Sequence, residues 1–227
     1  EGDYRLYPLP NDAQLPANLN SLLDKLRSGE LHGLNVTVPY KQLVIPYLDH
    51  VDRVSTVIGA VNTIYCREGQ LFGENTDAPG FLADLWRFLK QETNHKMIGR
   101  HALVLGAGGS ARAVVYALLS SNWRISLAAR RLSQAQELSR DFKFHFKRGI
   151  IEPVSYDSKG LYMAGKTADL LINTTPVGMW PEVDHSPWPM SYPLPHRVCV
   201  YDLVYNPART MLLKHAQRSG LPFSNGI

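Results

Sequence analysis

One stretch of this sequence, Leu103-Val-Leu-Gly-Ala-Gly-Gly-Ser-Ala111, runs from an apolar strand pattern through a glycine-rich turn into a helical pattern. A Gly-x-Gly-x-x-Ala motif in that context typically binds the pyrophosphate of a dinucleotide. Gly106 would permit the tight turn, Gly108 would let the backbone approach the pyrophosphate, and Ala111 would let the helix pack closely on the sheet. The alternative is a glycine-rich structural turn. The predicted pyrophosphate loop comprises Gly106, Ala107, Gly108, Gly109, Ser110 and Ala111.

Strand and helix patterns alternate from this motif onward, which is typical of a parallel sheet with crossover helices. The preceding residues predict a smaller unit with a helix, a short strand, a hairpin and a second helix that begins near Asp77. We therefore predict an α/β fold with two domains, a small α/β substrate domain at 1–77 and a Rossmann-type doubly wound parallel sheet at 78–227. The predicted strands are 34–38, 61–66, 70–73, 102–105, 125–129, 169–173 and 198–203; the predicted helices are 15–28, 44–48, 110–120, 133–142 and 208–218; the predicted linker is 91–100.

The composition excludes several classes of protein. The 227 residues are 44% hydrophobic and 19% charged, as in an ordinary soluble globular protein, and no apolar run is long enough to span a membrane. Cys66 and Cys199 are not spaced as a metal clip, so we expect reduced thiols in a cytoplasmic protein and no metal site. The net charge of +4 comes without a basic stripe, so we expect small anionic ligands rather than nucleic acid.

Two arginines follow the second strand of the predicted large sheet. Dinucleotide-binding proteins specific for NAD carry an acidic residue about 20 residues beyond the glycine motif, where it binds the ribose 2′-hydroxyl. Here Arg130 and Arg131 occupy that place, and guanidinium groups suit a 2′-phosphate. The sequence therefore predicts NADP as the cofactor, although Arg131 could equally be a solvated surface residue.

Further cofactor contacts are predicted where two other strands end, because ligands of open α/β sheets lie outside the carboxyl ends of the strands. The segment 173–179 brings small polar residues and a glycine to one such end, and its alternative interpretation is a plain turn. We count Thr174, Met179 and Val204 among the cofactor-binding residues.

Two more residues have the chemistry for acid–base work, but each has a simpler interpretation. Lys41 follows a strand and a proline turn, where a lysine is usually solvated. Asp77 precedes a helical pattern and could serve as its N-cap.

In combination, five ordered segments resemble the shikimate dehydrogenase family, and the resemblance extends over residues 30–220. The segments are Gly33-Leu-Asn-Val-Thr-Val-Pro-Tyr-Lys41, Gly59-Ala-Val-Asn-Thr63, Asn75-Thr-Asp77, Gly106-Ala-Gly-Gly-Ser-Ala111 and Asp202-Leu-Val-Tyr-Asn-Pro207. The resemblance implies interconversion of shikimate and 3-dehydroshikimate with NADP, a step of chorismate and aromatic amino acid biosynthesis, by a monomer or homodimer.

The resemblance also implies roles for individual residues. Lys41 matches the family's catalytic lysine and Asp77 its partnering aspartate, while Thr37 and Asn62 match groups that bind the substrate and Tyr205 matches a tyrosine near it. We expect Lys41 to be the main acid–base and electrostatic group and Asp77 to orient it, although the opposite weighting remains open. Arg130 matches the arginine of an Asn-Arg-Thr segment that reads Ala129-Arg-Arg131 here.

The chain also departs from the family pattern. The Ser-x-Ser segment that binds the substrate carboxylate and a late glutamine that contacts substrate have no counterpart in it, so we expect a fragment, or less simply a shortened and inactive relative, that binds shikimate poorly. Three alternatives stay open: a quinate/shikimate dehydrogenase, a non-catalytic NADP-binding protein, and a dehydrogenase of the methylene-tetrahydrofolate type.

Overall fold

A computed structural model describes residues 3–10, 14–93 and 100–226, which form two sheets with helices around them. The strands of the small sheet are β1 (Leu34–Asn35), β2 (His50–Val51), β3 (Thr63–Arg67) and β4 (Gln70–Glu74). Those of the large sheet are β5 (His101–Leu105), β6 (Arg124–Ala128), β7 (Ile151–Val154), β8 (Leu170–Asn173), β9 (Cys199–Asp202) and β10 (Phe223–Ser224). The helices are α1 (Leu15–Arg27), α2 (Arg53–Ile58), α3 (Asp77–Thr93), α4 (Gly109–Ser120), α5 (Leu132–His145), α6 (Ser158–Gly165) and α7 (Met211–Arg218).

The small sheet is mixed and has the order β1-β3-β4-β2. β3 and β4 form the predicted hairpin, whose turn places Glu68 and Gly69 at positive φ. Leucines spaced three and four residues apart along α1 lie on one face, as the sequence pattern predicts, and they pack against this sheet. The buried residues of this small core are Leu19, Leu23, Leu26, Val44, Val61, Ile64 and Leu71.

The large sheet is entirely parallel and has the order β10-β9-β8-β5-β6-β7. The chain moves outward from β5 through β6 to β7, then returns to the other side of β5 to form β8, β9 and β10. This reversal between β5 and β8 is a topological switch point, where a crevice opens at the carboxyl ends of the strands. The predicted α/β class with a small unit and a doubly wound parallel sheet is confirmed.

Some elements differ from their predictions. The strand predicted at 34–38 ends at Asn35, because the carbonyl of Thr37 accepts a hydrogen bond from the Tyr40 N–H and turns the chain. The helix predicted at 44–48 is a short 3₁₀ helix at Ile45–Tyr47. Residues 91–93 of the predicted linker belong to α3, and 94–99 lie outside the described residues. Five elements were not predicted from the sequence: β2, β7, β10, α2 and α6.

The long helix α3 joins the two sheets, since it begins beside the small sheet and packs along the large one. Phe81, Leu85 and Phe88 enter the main hydrophobic core together with buried residues of β5, β8 and α4. Tyr201 of β9 contacts Phe81 edge to face, and its hydroxyl donates a hydrogen bond of 2.5 Å to Asp84.

The predicted domain boundary between 77 and 78 stays a prediction. In the described part of the chain, no helix has both the length and the apolar character needed to cross a bilayer.

Replacement of Tyr201 by Phe should destabilise the protein by about 1–2 kcal/mol, because the ring remains while the hydrogen bond to a carboxylate is lost. Urea denaturation would measure the change. Tyr205→Phe is a suitable control, since that side chain is 69% exposed and the loss of its hydroxyl should leave the free energy of unfolding unchanged. Equal stability of Tyr201→Phe and the parent would contradict the assigned contact.

Candidate active site

Lys41 lies between the two sheets, and its ammonium group is engaged on both sides. Its Nζ donates a hydrogen bond of 2.6 Å to Asp77 Oδ2 and one of 3.3 Å to Ser110 Oγ. The Lys41 side chain is only 12% exposed, and its carbonyl accepts a hydrogen bond from the Val61 N–H. The interpretation of Lys41 as a solvated surface lysine is therefore wrong.

Asp77 uses both carboxylate oxygens in the site and does not cap α3. Asn62 Nδ2 donates to Asp77 Oδ1 at 2.7 Å, while Lys41 takes the other oxygen. The capping contact comes from Asn75, whose Oδ1 accepts a hydrogen bond from the Ala78 N–H. The N-cap interpretation of Asp77 is thus wrong, because the helix begins at Asp77 itself and an earlier side chain satisfies its first turn.

Asn62 is held in place by the segment that leads into α3. Its Oδ1 accepts a hydrogen bond of 2.8 Å from the Thr76 N–H, and its Nδ2 lies 2.9 Å from Thr76 Oγ1. Lys41, Asp77 and Asn62, called the site cluster below, therefore form one connected set of charged and amide groups. A cationic donor, a carboxylate and an amide at one point can bind hydroxyl and carbonyl oxygens and move a proton.

The pyrophosphate loop approaches the site cluster directly. A Cβ added at Gly109 would lie 2.9 Å from the Cβ of Lys41, so the loop backbone touches the lysine. Ser110, predicted to bind the cofactor, also contacts the Lys41 ammonium. The glycine motif predicts only the cofactor contact of Ser110, because the second contact joins residues 69 positions apart.

The loop itself has the geometry of a dinucleotide cradle. Gly106 has φ +113°, and a side chain there would overlap Thr174 Oγ1. A Cβ added at Gly108 would meet nothing within 4 Å, so the backbone faces open space in front of the first turn of α4. Ala111 is fully buried under the sheet. These residues fit a pyrophosphate, because a helix N-terminus offers free N–H groups to an anion.

Arg130 and Arg131 both lie exposed just beyond β6, where the 2′-position of an adenine ribose would be expected. Neither makes an ion pair with any residue that the structure describes. Burial raises the pKa of Tyr156, and the nearby charge of Arg130 acts in the opposite direction. Two cations without protein carboxylate partners suit a phosphate ligand.

The ends of β8 and β9 are joined by a buried polar network that the sequence analysis missed. Asp202 is fully buried and accepts hydrogen bonds from Asn173 Nδ2 at 2.9 Å, Thr210 Oγ1 at 2.6 Å and the Val204 N–H at 3.0 Å. Thr210 in turn caps α7. One signal was available in the sequence, since Asn173 ends one predicted strand and Asp202 is the second-last residue of another, at the same edge of the sheet.

This network positions two loops that carry predicted site residues. Thr174 Oγ1 donates a hydrogen bond of 2.6 Å to the carbonyl of Leu105, and Val204 is buried. Met179 is 44% exposed and Tyr205 is 69% exposed. Within the described residues, the side chains of Thr37 and Tyr205 make no hydrogen bond to the site cluster, and no group of three or more His, Cys, Asp or Glu side chains could hold a metal ion.

A lysine–aspartate pair that faces a dinucleotide cradle at a switch point defines a two-domain, dinucleotide-dependent oxidoreductase. Residues 3–64 match the family model described as the shikimate dehydrogenase substrate binding domain. The chain is 37% identical to the NADP(+) shikimate dehydrogenase of Shouchella clausii, with 93% of this chain and 74% of that protein covered. It is 41% identical to that of Moorella thermoacetica, with 93% and 70% covered.

Solved structures agree with these sequence matches. The shikimate 5-dehydrogenase of Thermus thermophilus in complex with NADP(H) and shikimate superposes with a TM-score of 0.75 at 34% identity, with 92% of this chain and 72% of that chain covered. A quinate dehydrogenase of Corynebacterium glutamicum in complex with NAD gives 0.76 at 34% identity, with 92% and 71% covered. The chain belongs to the shikimate dehydrogenase family.

The Asp202 network gives a pH-dependent prediction, because burial raises the pKa of Asp202 to about 6. An aspartate in the unfolded chain has a pKa of about 3.9. At pH values between about 3.9 and about 6, Asp202 therefore holds more of a proton in the folded protein than in the unfolded chain. The free energy of unfolding should therefore fall by about 2 kcal/mol as the pH rises from about 4 to about 6, out of a total of about 3 kcal/mol over the whole titration.

In Asp202→Asn this component disappears, so the free energy of unfolding in urea should decline less over that interval than in the parent. Asp184→Asn, at an exposed position, should keep the parental slope. Identical slopes for Asp202→Asn and the parent would contradict a buried carboxylate with a raised pKa.

Proposed function

We propose that this protein is an NADP-dependent oxidoreductase that interconverts shikimate and 3-dehydroshikimate. The observation that carries the proposal is the contact between the site cluster and the pyrophosphate loop, in which Lys41 Nζ reaches both Asp77 and Ser110. This contact supports the proposal because acid–base groups would then lie close to a bound nicotinamide cofactor. Membership of the shikimate dehydrogenase family supports the choice of substrate.

The residues fit the cofactor in three places. The pyrophosphate would lie against Gly108 and the first turn of α4, where the backbone N–H groups are free. Arg130 and Arg131 would bind the 2′-phosphate, and the Thr174, Met179 and Val204 region would contact the nicotinamide end. When bound, the cofactor supplies the hydride that reduces a ketone. The protein itself would align the substrate carbon with the cofactor and donate or accept the proton.

The site cluster would transfer the proton. Reduction of a ketone develops negative charge on its oxygen, and the Lys41 ammonium can donate a hydrogen bond to that oxygen and then its proton. Asp77 holds the ammonium in place and can accept a hydrogen bond from a substrate hydroxyl. Because Asn62 fixes Asp77 Oδ1 at 2.7 Å, the carboxylate is oriented before the substrate arrives.

Thr37, Asn62 and Tyr205 are the proposed substrate-binding residues. Thr37 and Tyr205 are exposed, so their hydroxyls are accessible to a ligand between the two sheets. Residues 1–77 would then form most of the substrate side, and residues 78–227 the cofactor side.

We further propose a cytoplasmic monomer or homodimer of the chorismate pathway, whose partners are small molecules rather than nucleic acid or a membrane. Gel filtration of the full-length protein would measure its assembly state.

Lys41→Met and Asp77→Asn should each lower kcat for shikimate oxidation about 10²–10⁴-fold, because each removes a group that moves or orients the proton. Circular dichroism would establish that both variants fold. Lys143→Met and Asp184→Asn alter exposed groups remote in sequence from the cluster and should keep parental turnover. Near-parental kcat in both cluster variants would refute the assignment of the site.

Arg130→Gln and Arg131→Gln should raise the KM for NADP by about tenfold or more while leaving the KM for NAD nearly unchanged, since a charge-assisted hydrogen bond to phosphate contributes about 1.5–3 kcal/mol. Arg148→Gln, another exposed arginine, serves as the control. If Arg131→Gln behaves as this control does, Arg131 is a solvated surface residue. If Arg130→Gln also does, the phosphate lies elsewhere.

The similarity to a quinate dehydrogenase supports a second candidate, quinate as substrate. Initial rates with shikimate and quinate, each with NADP and NAD, would separate the two on the full-length protein. If quinate is turned over faster than shikimate, quinate is the substrate in place of shikimate. Binding of NADPH without turnover of either acid would instead favour a non-catalytic NADP-binding protein.

A further inference from the structure

Arg112 lies in the first turn of α4, directly after the pyrophosphate loop. Its side chain nevertheless contacts α2, the helix that lies between β2 and β3 of the small sheet in the chain. Its Nε donates a hydrogen bond to the carbonyl of Ile58, the last residue of α2. Its Nη2 lies 2.9 Å from Asp141 Oδ2 on α5, and the guanidinium lies over the ring of Phe142, 5.6 Å from the centroid. The Arg112 side chain is 14% exposed, so these contacts hold it in one place.

Gly59, the residue after α2, lies against the guanidinium of Arg112. It ends α2 in the left-handed region, with φ +67°. A Cβ at this position would lie 2.8 Å from Arg112 Nη2, so a side chain would collide with the guanidinium. The Gly59-Ala-Val-Asn-Thr63 segment thus begins with a glycine that admits the arginine and continues to Asn62 of the site cluster.

The contact also has a clear electrostatic reason. The last carbonyls of a helix lack intrahelical partners and carry partial negative charge. A guanidinium can satisfy the Ile58 carbonyl and the Asp141 carboxylate at once because its N–H groups form a planar fork. Asp141 is 52% exposed, so its ion pair is screened by water and adds less than the buried contact with the carbonyl.

We propose that Arg112 is a positioning residue that sets the distance between the pyrophosphate loop and the site cluster. The loop, Gly106–Ala111, immediately precedes Arg112, and the chain from Ile58 reaches Asn62 four residues later. Val61 donates to the carbonyl of Lys41, so the same segment also fixes the backbone of the lysine. The clasp formed by Arg112, Ile58 and Asp141 therefore acts on both sides of the reacting centre.

Loss of the clasp should loosen this spacing without unfolding the protein. Ile58 and Ala60 belong to the main hydrophobic core, and Val54 and Val57 pack against it, so α2 stays docked through apolar contacts. Those contacts are not directional, whereas the hydrogen bond fixes α2 along and around its axis. Hydride transfer requires close alignment of donor and acceptor carbons, and a displacement of about 1 Å can lower the rate about 10²-fold.

The first experiment measures the spacing itself. Nitroxide labels at Glu68→Cys, in the exposed hairpin turn, and Lys143→Cys, on the exposed face of α5, would be introduced with Cys66→Ser; Cys199 is buried. Double electron–electron resonance should give one narrow distance in this parent. Arg112→Met should broaden or split it, and Arg112→Lys, which can reach only one of the two acceptors at a time, should do so partly. Arg140→Met, an exposed arginine on α5, should leave it unchanged.

The second experiment rests on the proposed function and measures kinetics. We expect kcat/KM for shikimate to fall about tenfold or more in Arg112→Met and less in Arg112→Lys, while the NADPH dissociation constant stays within about threefold of the parent. A loss of NADPH affinity equal to the loss of kcat/KM would overturn the proposal, because Arg112 would then act on the cofactor.

The distance measurement decides the proposal even if the parent does not turn over shikimate, in which case the proposed function alone fails. An unchanged distance distribution in Arg112→Met and Arg112→Lys would overturn the positioning role. If circular dichroism shows that Arg112→Met is unfolded, Arg112→Lys and Asp141→Asn take its place. Asp141 lies on the surface side of the clasp, so its removal should broaden the distances without loss of fold.

Discussion

The contact between the Lys41 ammonium and the Asp77 carboxylate is the interaction on which the rest of the structure depends. A lysine that is 12% exposed has lost most of its hydration, so it needs a charged partner and further hydrogen bonds. The partner comes from the first residue of α3 and the second contact from the first turn of α4. Three separate segments must therefore meet at one point, and the small sheet, α3 and the pyrophosphate loop are arranged so that they do.

The large sheet provides the rigid side of this meeting point. Its strand order reverses between β5 and β8, so the loops after those strands diverge and leave a crevice. The buried Asp202 ties the end of β9 to the end of β8 through Asn173 and to α7 through Thr210. A buried carboxylate with three donors costs less than an unpaired one but still strains the fold near neutral pH, as its raised pKa indicates. Such a cost is common where the position of loops matters for function.

Sequence reasoning recovered the elements whose pattern is long and regular. The leucine spacing of α1, the apolar strands of the large sheet and the glycine loop all have local signals that survive in the structure. It missed β7, since Pro153 interrupts its strand pattern, and the structure tolerates that proline because β7 is an edge strand. It missed β2 and β10 because two residues each carry too little pattern to be distinguished from a turn. Asp77 was open to an N-cap interpretation until the structure revealed that Asn75 does the capping.

By itself the sequence determined the α/β class, the dinucleotide cradle and the arginine pair, because each rests on local spacing within one strand, turn or helix. The approach of Ser110 to Lys41, 69 positions apart, was decided only by the tertiary structure. So was the clasp of Arg112 on Ile58, 54 positions apart. Such contacts have no local signal, since they depend on how two folded units dock rather than on propensity or periodicity. The sequence supplied the chemical groups, and the packing of α2 and α3 against α4 brought them within hydrogen-bonding distance.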